Sequence, residues 1–157
     1  MRKLLAPLIF GIAGGAILVG LGIWQVQRLA WKEGVLEQIE ARIAADPAPL
    51  PADPDPRADR YHPVEITGEF DESSLHVLVS RKRVGAGYRL VSPFATGDRR
   101  VLVDRGFIAV EANIPAPPAN EATITGNLHW PDDRNSATPE NDIAGNIWYA
   151  RDVDAMA

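Results

Sequence analysis

The chain has 157 residues, which is enough for one ordinary domain and little more. Its composition, 46% hydrophobic and 24% charged, excludes a disordered chain, and the lack of cysteine excludes disulfides, thiolate catalysis and Cys-ligated metal centres. The net charge is −5, and the part after the first apolar segment carries −7, with 14 basic and 21 acidic side chains. Nucleic-acid binding is not expected, because an acidic domain repels phosphate backbones.

The first predicted element is an apolar helix. Residues Leu4 to Trp24 form a run of 21 without a charged or polar side chain, long enough to cross a hydrocarbon layer of about 30 Å. We predict an uncleaved transmembrane anchor over residues 1–26, with Arg2 and Lys3 favouring a cytoplasmic N-terminus. A signal peptide cleaved near Gly14–Ala16 is the alternative.

The anchor is followed by two segments of different composition. Residues 27–45 contain no proline and place Leu29, Leu36 and Ile43 near helical spacing, which predicts a helical stalk. Residues 46–60 hold five of the 13 prolines in the chain. This segment is therefore predicted to be an extended, semi-rigid linker.

Residues 61–157 switch to the two-residue alternation of half-buried strands. We predict turns at Gly85–Gly87 and Gly97 and an interruption at Pro93. The predicted strands are 64–70, 75–82, 88–94, 100–110, 123–130 and 146–151. The expected fold class is an α+β membrane protein, with an N-terminal transmembrane helix followed by a small antiparallel β-sheet or barrel-like domain. Asp152 is typical of a helix N-cap, and we expect the domain to be incomplete at its C-terminus.

One helical face is the strongest candidate site in the first 45 residues. Five side chains share an arc of about 120° at the end of the predicted span. We call this set the tryptophan–arginine face: Trp24, Gln25, Arg28, Trp31 and Lys32. It fits a docking face for an acidic partner or a haem propionate, and it equally fits the belt of aromatic and basic residues found at membrane interfaces.

Two further arginines are secondary candidates. Arg81 and Arg105 continue the parity of the apolar residues in their strands. Either they hold an acidic ligand group or a partner loop, or they pair inside the domain or extend outward. No catalytic or phosphate-binding motif is present, so we predict no catalytic residues, no metal site and no enzyme activity. We interpret the three histidines as surface residues: His62, His76 and His129.

Several blocks, taken in order, resemble the surfeit locus protein 1 family, which assists assembly of cytochrome c oxidase. Asp104 stands where asparagine is usual in that family. The resembling blocks are LGIWQVQRLAWK (21–32), ITGEF (66–70), the strand containing Arg81, GAGYRLVSPF (85–94), VLVDRGFI (101–108), GNLHWP (126–131), Asn141 and NIWYARD (146–152).

The resemblance implies a two-span protein whose soluble domain lies outside the cytoplasm, which in bacteria is the periplasmic side of the inner membrane. It implies an assembly factor that acts on oxidase subunit I or its assembly intermediates, and some bacterial members are associated with haem a. The second span and its characteristic histidine have no counterpart in these 157 residues, so we expect no stable cofactor here and transient haem a in a longer form. A membrane-tethered extracytoplasmic adaptor that binds another protein is the alternative function.

Overall fold

The computed structural model describes residues 2–156, with side chains described from residue 7 onward. The chain divides into two units at the boundary between Ala45 and Asp46. An apolar helix forms the first unit, and a mixed, mostly antiparallel sheet forms the second. These two parts confirm the predicted fold class, and the sheet is open rather than closed into a barrel.

Helix α1 runs from Arg2 to Ile43 without a break, so the predicted span and stalk are one helix. Its last backbone bonds run from the Ala44 and Ala45 amides to the carbonyls of Glu40 and Arg42. The next dipeptide is Asp46–Pro47, and the residue before a proline is disfavoured in helical geometry.

Large apolar side chains are exposed along much of α1; Phe10, for example, is 82% exposed. Among the described residues, α1 is the helix whose length and composition would allow it to cross a membrane, within Pro7–Ile43.

Seven strands and one short helix form the described part of the second unit: β1 Ala48–Pro49, β2 Pro63–Phe70, β3 Leu75–Arg81, β4 Gly85–Thr96, β5 Arg99–Ala109, β6 Ala122–Asn127, β7 Ile147–Trp148 and α2 Val153–Met156. The hydrogen-bonded order is β1-β2-β4-β3-β7, with β5 on the other side of β4 and β6 on β2. The pairs β1–β2 and β3–β7 are parallel, and the other pairs are antiparallel.

Pro93 does not interrupt β4, contrary to the sequence prediction. Up to Val91, β4 pairs with β3, and from Phe94 onward it pairs with the end of β2. Pro93 lies where the neighbour changes, and its carbonyl accepts a bond from the amide of Asp71. A residue without an N–H is tolerated there because no partner strand needs that donor.

The predicted turn at Gly85–Gly87 was also wrong. The chain reverses at Lys82–Val84, and the amide of Val84 bonds to the carbonyl of Arg81. Gly87 lies inside β4, where a Cβ would collide with the Ile108 carbonyl and the Phe107 ring. This glycine therefore serves close packing rather than chain reversal.

The core lies around β3, β4 and β7. Val77, Val91 and Trp148 form one buried cluster. Phe94 is fully buried and packs edge-on against Phe70, with ring centroids 4.7 Å apart. Burial of these side chains supplies the main stabilising term of the unit.

Part of the segment predicted as a linker, residues 46–60, pairs with the sheet. Strand β1 lies beside Val64 and Glu65 of β2. A side-chain nitrogen of Arg99 donates to the carbonyl of Pro51 over 2.6 Å. At the other end of the unit, Asp152 caps α2 as predicted, since its carboxylate accepts a bond from the amide of Ala155 at 3.3 Å.

Candidate functional site

The tryptophan–arginine face lies on α1, and its members are exposed. The guanidinium carbon of Arg28 is 5.7 Å from the ring centroid of Trp24 and 5.8 Å from that of Trp31. These contacts follow from helix geometry, because residues three and four apart are neighbours on the surface. Arg28 therefore makes cation–π contacts with an indole on each side along the helix.

The polar edge of Arg28 faces no acceptor in the part of the chain that the structure describes. Within residues 2–156, no hydrogen bond or ion pair engages its guanidinium. Its five N–H donors match a carboxylate or phosphate in planar, bidentate geometry. The face can thus hold an external acid, while the two indoles limit the freedom of the arginine side chain.

In the second unit, the chemistry centres on an irregularity in β5. Arg89 of β4 pairs with Phe107, but Val91 pairs with Asp104, so two residues of β5, Arg105 and Gly106, oppose one residue of β4. Gly106 has a φ of 104°, which favours glycine. The bulge changes the direction of the side chains around it.

Asp104 connects the bulge to an ionic network. Its carboxylate accepts a bond from the Gly106 amide at 3.0 Å and one from Arg89 at 2.6 Å. Arg151 lies 4.0 Å from the same carboxylate and forms a two-pronged pair with Asp133 at 2.5 and 2.9 Å. Hydrogen bonds from Arg151 lower the pKa of Asp133, and the bonds to Asp133 in turn raise the pKa of Arg151.

Next to this network is an open groove of about 1200 Å³ within the second unit. Its apolar walls include Ile66, Phe70 and Leu102. Its arginines are Arg89, Arg99, Arg100, Arg105 and Arg151. Apolar walls with a few charged donors are typical of sites that bind a largely apolar ligand with acidic groups. The groove is therefore suited to binding a ligand of this kind.

Arg105, one of the two secondary candidates, points its donors at its own chain. It donates to the carbonyls of Pro115 and Ala116 at 3.3 and 2.9 Å, and to the hydroxyl of Ser74 at 3.3 Å. Its guanidinium carbon lies 5.8 Å from the Phe70 ring centroid. Arg105 therefore fastens the proline-rich loop after β5 to the sheet.

Arg81, the other secondary candidate, is exposed at the end of β3. Its guanidinium carbon lies 5.2 Å from the centroid of the Phe107 ring. Within the second unit, Arg81 and Arg105 contact different partners, so the structure does not bring these two arginines together.

Among the histidines, His129 has the most distinct environment. The residue as a whole is exposed, but its ring stacks on Tyr61 with centroids 5.8 Å apart. Partial burial lowers the pKa of His129, and the positive charges of Arg151 and Arg60 lower it further. The neutral form of His129 is thus favoured near neutral pH.

His76 has a different neighbour: its ring lies beside that of Tyr88, with centroids 5.6 Å apart.

Comparison with known proteins shows which family has these features. The profile of the SURF1 family matches residues 12–157. The chain belongs to the SURF1 family. The matched region includes the tryptophan–arginine face, the bulge and the groove, so the described sites lie within the shared part of the family.

Three SURF1 relatives illustrate the similarity. "Surfeit locus protein 1" of Rattus norvegicus is 34% identical, covering 90% of this chain and 54% of the relative. The Homo sapiens protein of the same name is 33% identical, covering 88% and 54%. "Cytochrome oxidase assembly protein SHY1" of Saccharomyces cerevisiae is 35% identical, covering 99% and 44%. The chain spans about half the length of these relatives.

Sequence reasoning missed the network of this SURF1 chain. Arg89, Asp133 and Arg151 carry no local pattern that sets them apart, and they meet through pairing of distant segments. Asp104 had a signal, because it directly precedes an Arg–Gly pair inside a strand, a place where glycine often marks a bulge.

Proposed function

We propose that this SURF1-family chain is a membrane-anchored, non-catalytic assembly factor for cytochrome c oxidase. The carrying observation is the 35% identity, over 99% of the chain, to a relative whose name describes oxidase assembly. The long exposed apolar helix supports the membrane anchor. The groove supports a binding role.

The chain acts on oxidase subunit I or its intermediates and assists haem a insertion, with haem a as transient cargo of a longer form. The N-terminus lies in the cytoplasm and the second unit in the periplasm of a bacterial inner membrane. The unengaged donors of Arg28 support this proposal, since they suit a propionate or an acidic side chain.

The decisive variant is Arg28→Lys in the full-length gene product, expressed in cells that lack their own family member. Lysine keeps the charge and still reaches the interface, but it loses the planar fork and stacks less well on indole. We expect normal protein level and a several-fold drop in oxidase haem a, measured by difference spectroscopy. Gln27→Ala, off the tryptophan–arginine face, is the matched control.

Normal haem a content in Arg28→Lys at equal protein level would mean that the tryptophan–arginine face is only a belt of residues at the membrane interface.

Co-purification distinguishes the proposed assembly factor from the alternative, a membrane-tethered adaptor. An assembly factor retains oxidase subunit I, whereas a general adaptor retains other proteins. A reporter that is active only in the periplasm, fused after Ala157, tests the topology. Activity of a cytoplasmic reporter at that position would contradict the proposed orientation.

A further inference from the structure

The hairpin between β3 and β4 carries a concentrated positive charge at its tip. Arg81, Lys82 and Arg83 are consecutive, and all three are exposed. Val84 follows them and is 60% exposed. We call these four residues the basic tip.

Hydrogen bonds hold the backbone of the basic tip in a defined conformation. The Val84 amide bonds to the Arg81 carbonyl at 3.1 Å, and Arg81 pairs with Gly85 across the hairpin. Arg83 has a φ of 72°, a region that side chains other than Gly, Asn and Asp adopt at a cost. The end of β5 lies alongside, because the Val110 amide reaches the Ala86 carbonyl at 3.4 Å. Val110 is 48% exposed, so a second exposed apolar residue follows the strand that neighbours the hairpin.

The charge of the basic tip opposes that of its surroundings. Residues 46–157 hold 11 basic and 18 acidic side chains, a net charge of −7. Three of the 11 basic side chains lie in the tip, and Glu111 is the one acidic residue next to Val110 in sequence. The net negative charge of the unit repels acidic surfaces, so attraction to such a surface needs a local excess of basic side chains, which the basic tip supplies.

We propose that the basic tip docks on the surface of an anionic lipid bilayer, with Val84 entering the headgroup region. Basic residues beside exposed apolar side chains are the combination that binds such interfaces. The proposal rests on the membrane anchoring proposed above. A tethered domain meets the bilayer at a high effective concentration, so a small patch suffices for docking. An acidic protein surface would satisfy the charges but gives no reason for the exposed Val84.

The lack of cysteine makes the test direct. The full chain carrying Val84→Cys is labelled with an environment-sensitive fluorophore and reconstituted in vesicles of phosphatidylcholine, with or without phosphatidylglycerol. We expect a blue shift, and quenching by a lipid-borne quencher, with the anionic vesicles. Asp98→Cys is the matched control, because its turn lies at the other end of β4, about 40 Å away. Its label should not respond.

The charge requirement is tested by adding Lys82→Gln and Arg83→Asn. Asparagine accepts the left-handed backbone at position 83, so the hairpin is preserved. Each basic residue near an anionic surface changes the partition constant about fivefold, so the equilibrium constant for docking should fall about 25-fold. High salt should produce a similar loss.

A label at position 84 that behaves alike in both vesicle types, or like the label at 98, would overturn the proposal. So would a shift that appears in neutral vesicles when oxidase subunits are added, with no response to phosphatidylglycerol, which would assign the tip to an acidic protein. Flotation separates the two proposals. If the chain floats with vesicles but the label shows no docking, the proposed membrane anchor stands and the docking of the basic tip is refuted. If the chain does not float, both proposals are refuted.

Discussion

Arg28 in α1 and Arg105 in the sheet show two ways of holding a guanidinium. Arg28 contacts two aromatic rings three and four residues away, and its donors meet no acceptor within residues 2–156. Arg105 bonds to two carbonyls and a hydroxyl at least ten residues away. Contacts near in sequence leave the charged edge available, whereas the distant contacts consume it. The first arginine suits recognition, and the second holds a loop.

The same contrast extends to the two units. Helix α1 is built from backbone bonds four residues apart, and most of its side chains from residue 7 onward are exposed. The second unit depends on side chains buried between distant strands. A change in its core should therefore disrupt the sheet and leave α1 formed.

Phe94→Ala is the sharpest way to test this independence. Phe94 is fully buried, and truncating a buried phenylalanine costs about 3–5 kcal/mol of unfolding free energy. We expect the sheet to unfold at much lower denaturant concentration, as followed by tryptophan fluorescence, to which the core residue Trp148 contributes, with the helical circular-dichroism signal unchanged. Ile143→Ala, at a side chain 73% exposed, should leave the transition in place. Loss of helix together with sheet would show that the units are not independent.

Arg105→Met has a smaller expected effect and tests the loop assignment. Methionine retains contact with Phe70 but cannot donate to Pro115 and Ala116. Hydrogen bonds from a charged donor contribute about 1.5–3 kcal/mol, and partial exposure reduces this to about 1–2 kcal/mol. Proteolysis within residues 111–121 should accelerate. Arg81→Met, at an exposed arginine with an aromatic contact and no loop to hold, is the control.

The smallest effect is a dependence of stability on pH. Burial lowers the pKa of His129 below its ordinary 6.5, so the unfolded chain takes up that proton first and stability falls as the pH drops below about 6.5. Asp133 has a pKa lowered from 3.8 by Arg151, so its contribution is present above about pH 3.8 and is lost below it. In thermal unfolding, His129→Gln should not lose stability below about pH 6.5 but should still lose it below about pH 3.8. An unchanged profile would contradict the assignment to His129.

The sequence predicted what depends on near neighbours. The apolar run and the alternation from Val64 to Phe70 specify a helix and a strand by themselves. The shared arc of Trp24, Arg28 and Trp31 also follows from helix geometry. Of the candidate sites, the tryptophan–arginine face could therefore be predicted from the sequence.

The remaining features depend on which strands meet. Pro93 was expected to break β4, because its position at a change of neighbour becomes visible only after pairing. Gly87 was expected to turn the chain, but it is required by the Phe107 ring across the sheet. The network of Asp104 and Arg151 joins residues 47 positions apart, and no periodicity encodes such a contact.

The strand order also has a consequence for folding kinetics. Strands β3, β4 and β5 are joined by short turns, so they can pair soon after collapse. Strand β2 meets β6 more than fifty residues later in the chain, and closing that large loop costs more entropy. We expect the meander of β3, β4 and β5 to form first and β6 to dock late. Pulse-labelling of amide hydrogens tests this order, and protection of β6 before the meander would contradict it. Until β6 arrives, the edge of β2 is open to strands of other molecules, which makes this interval the one most exposed to aggregation.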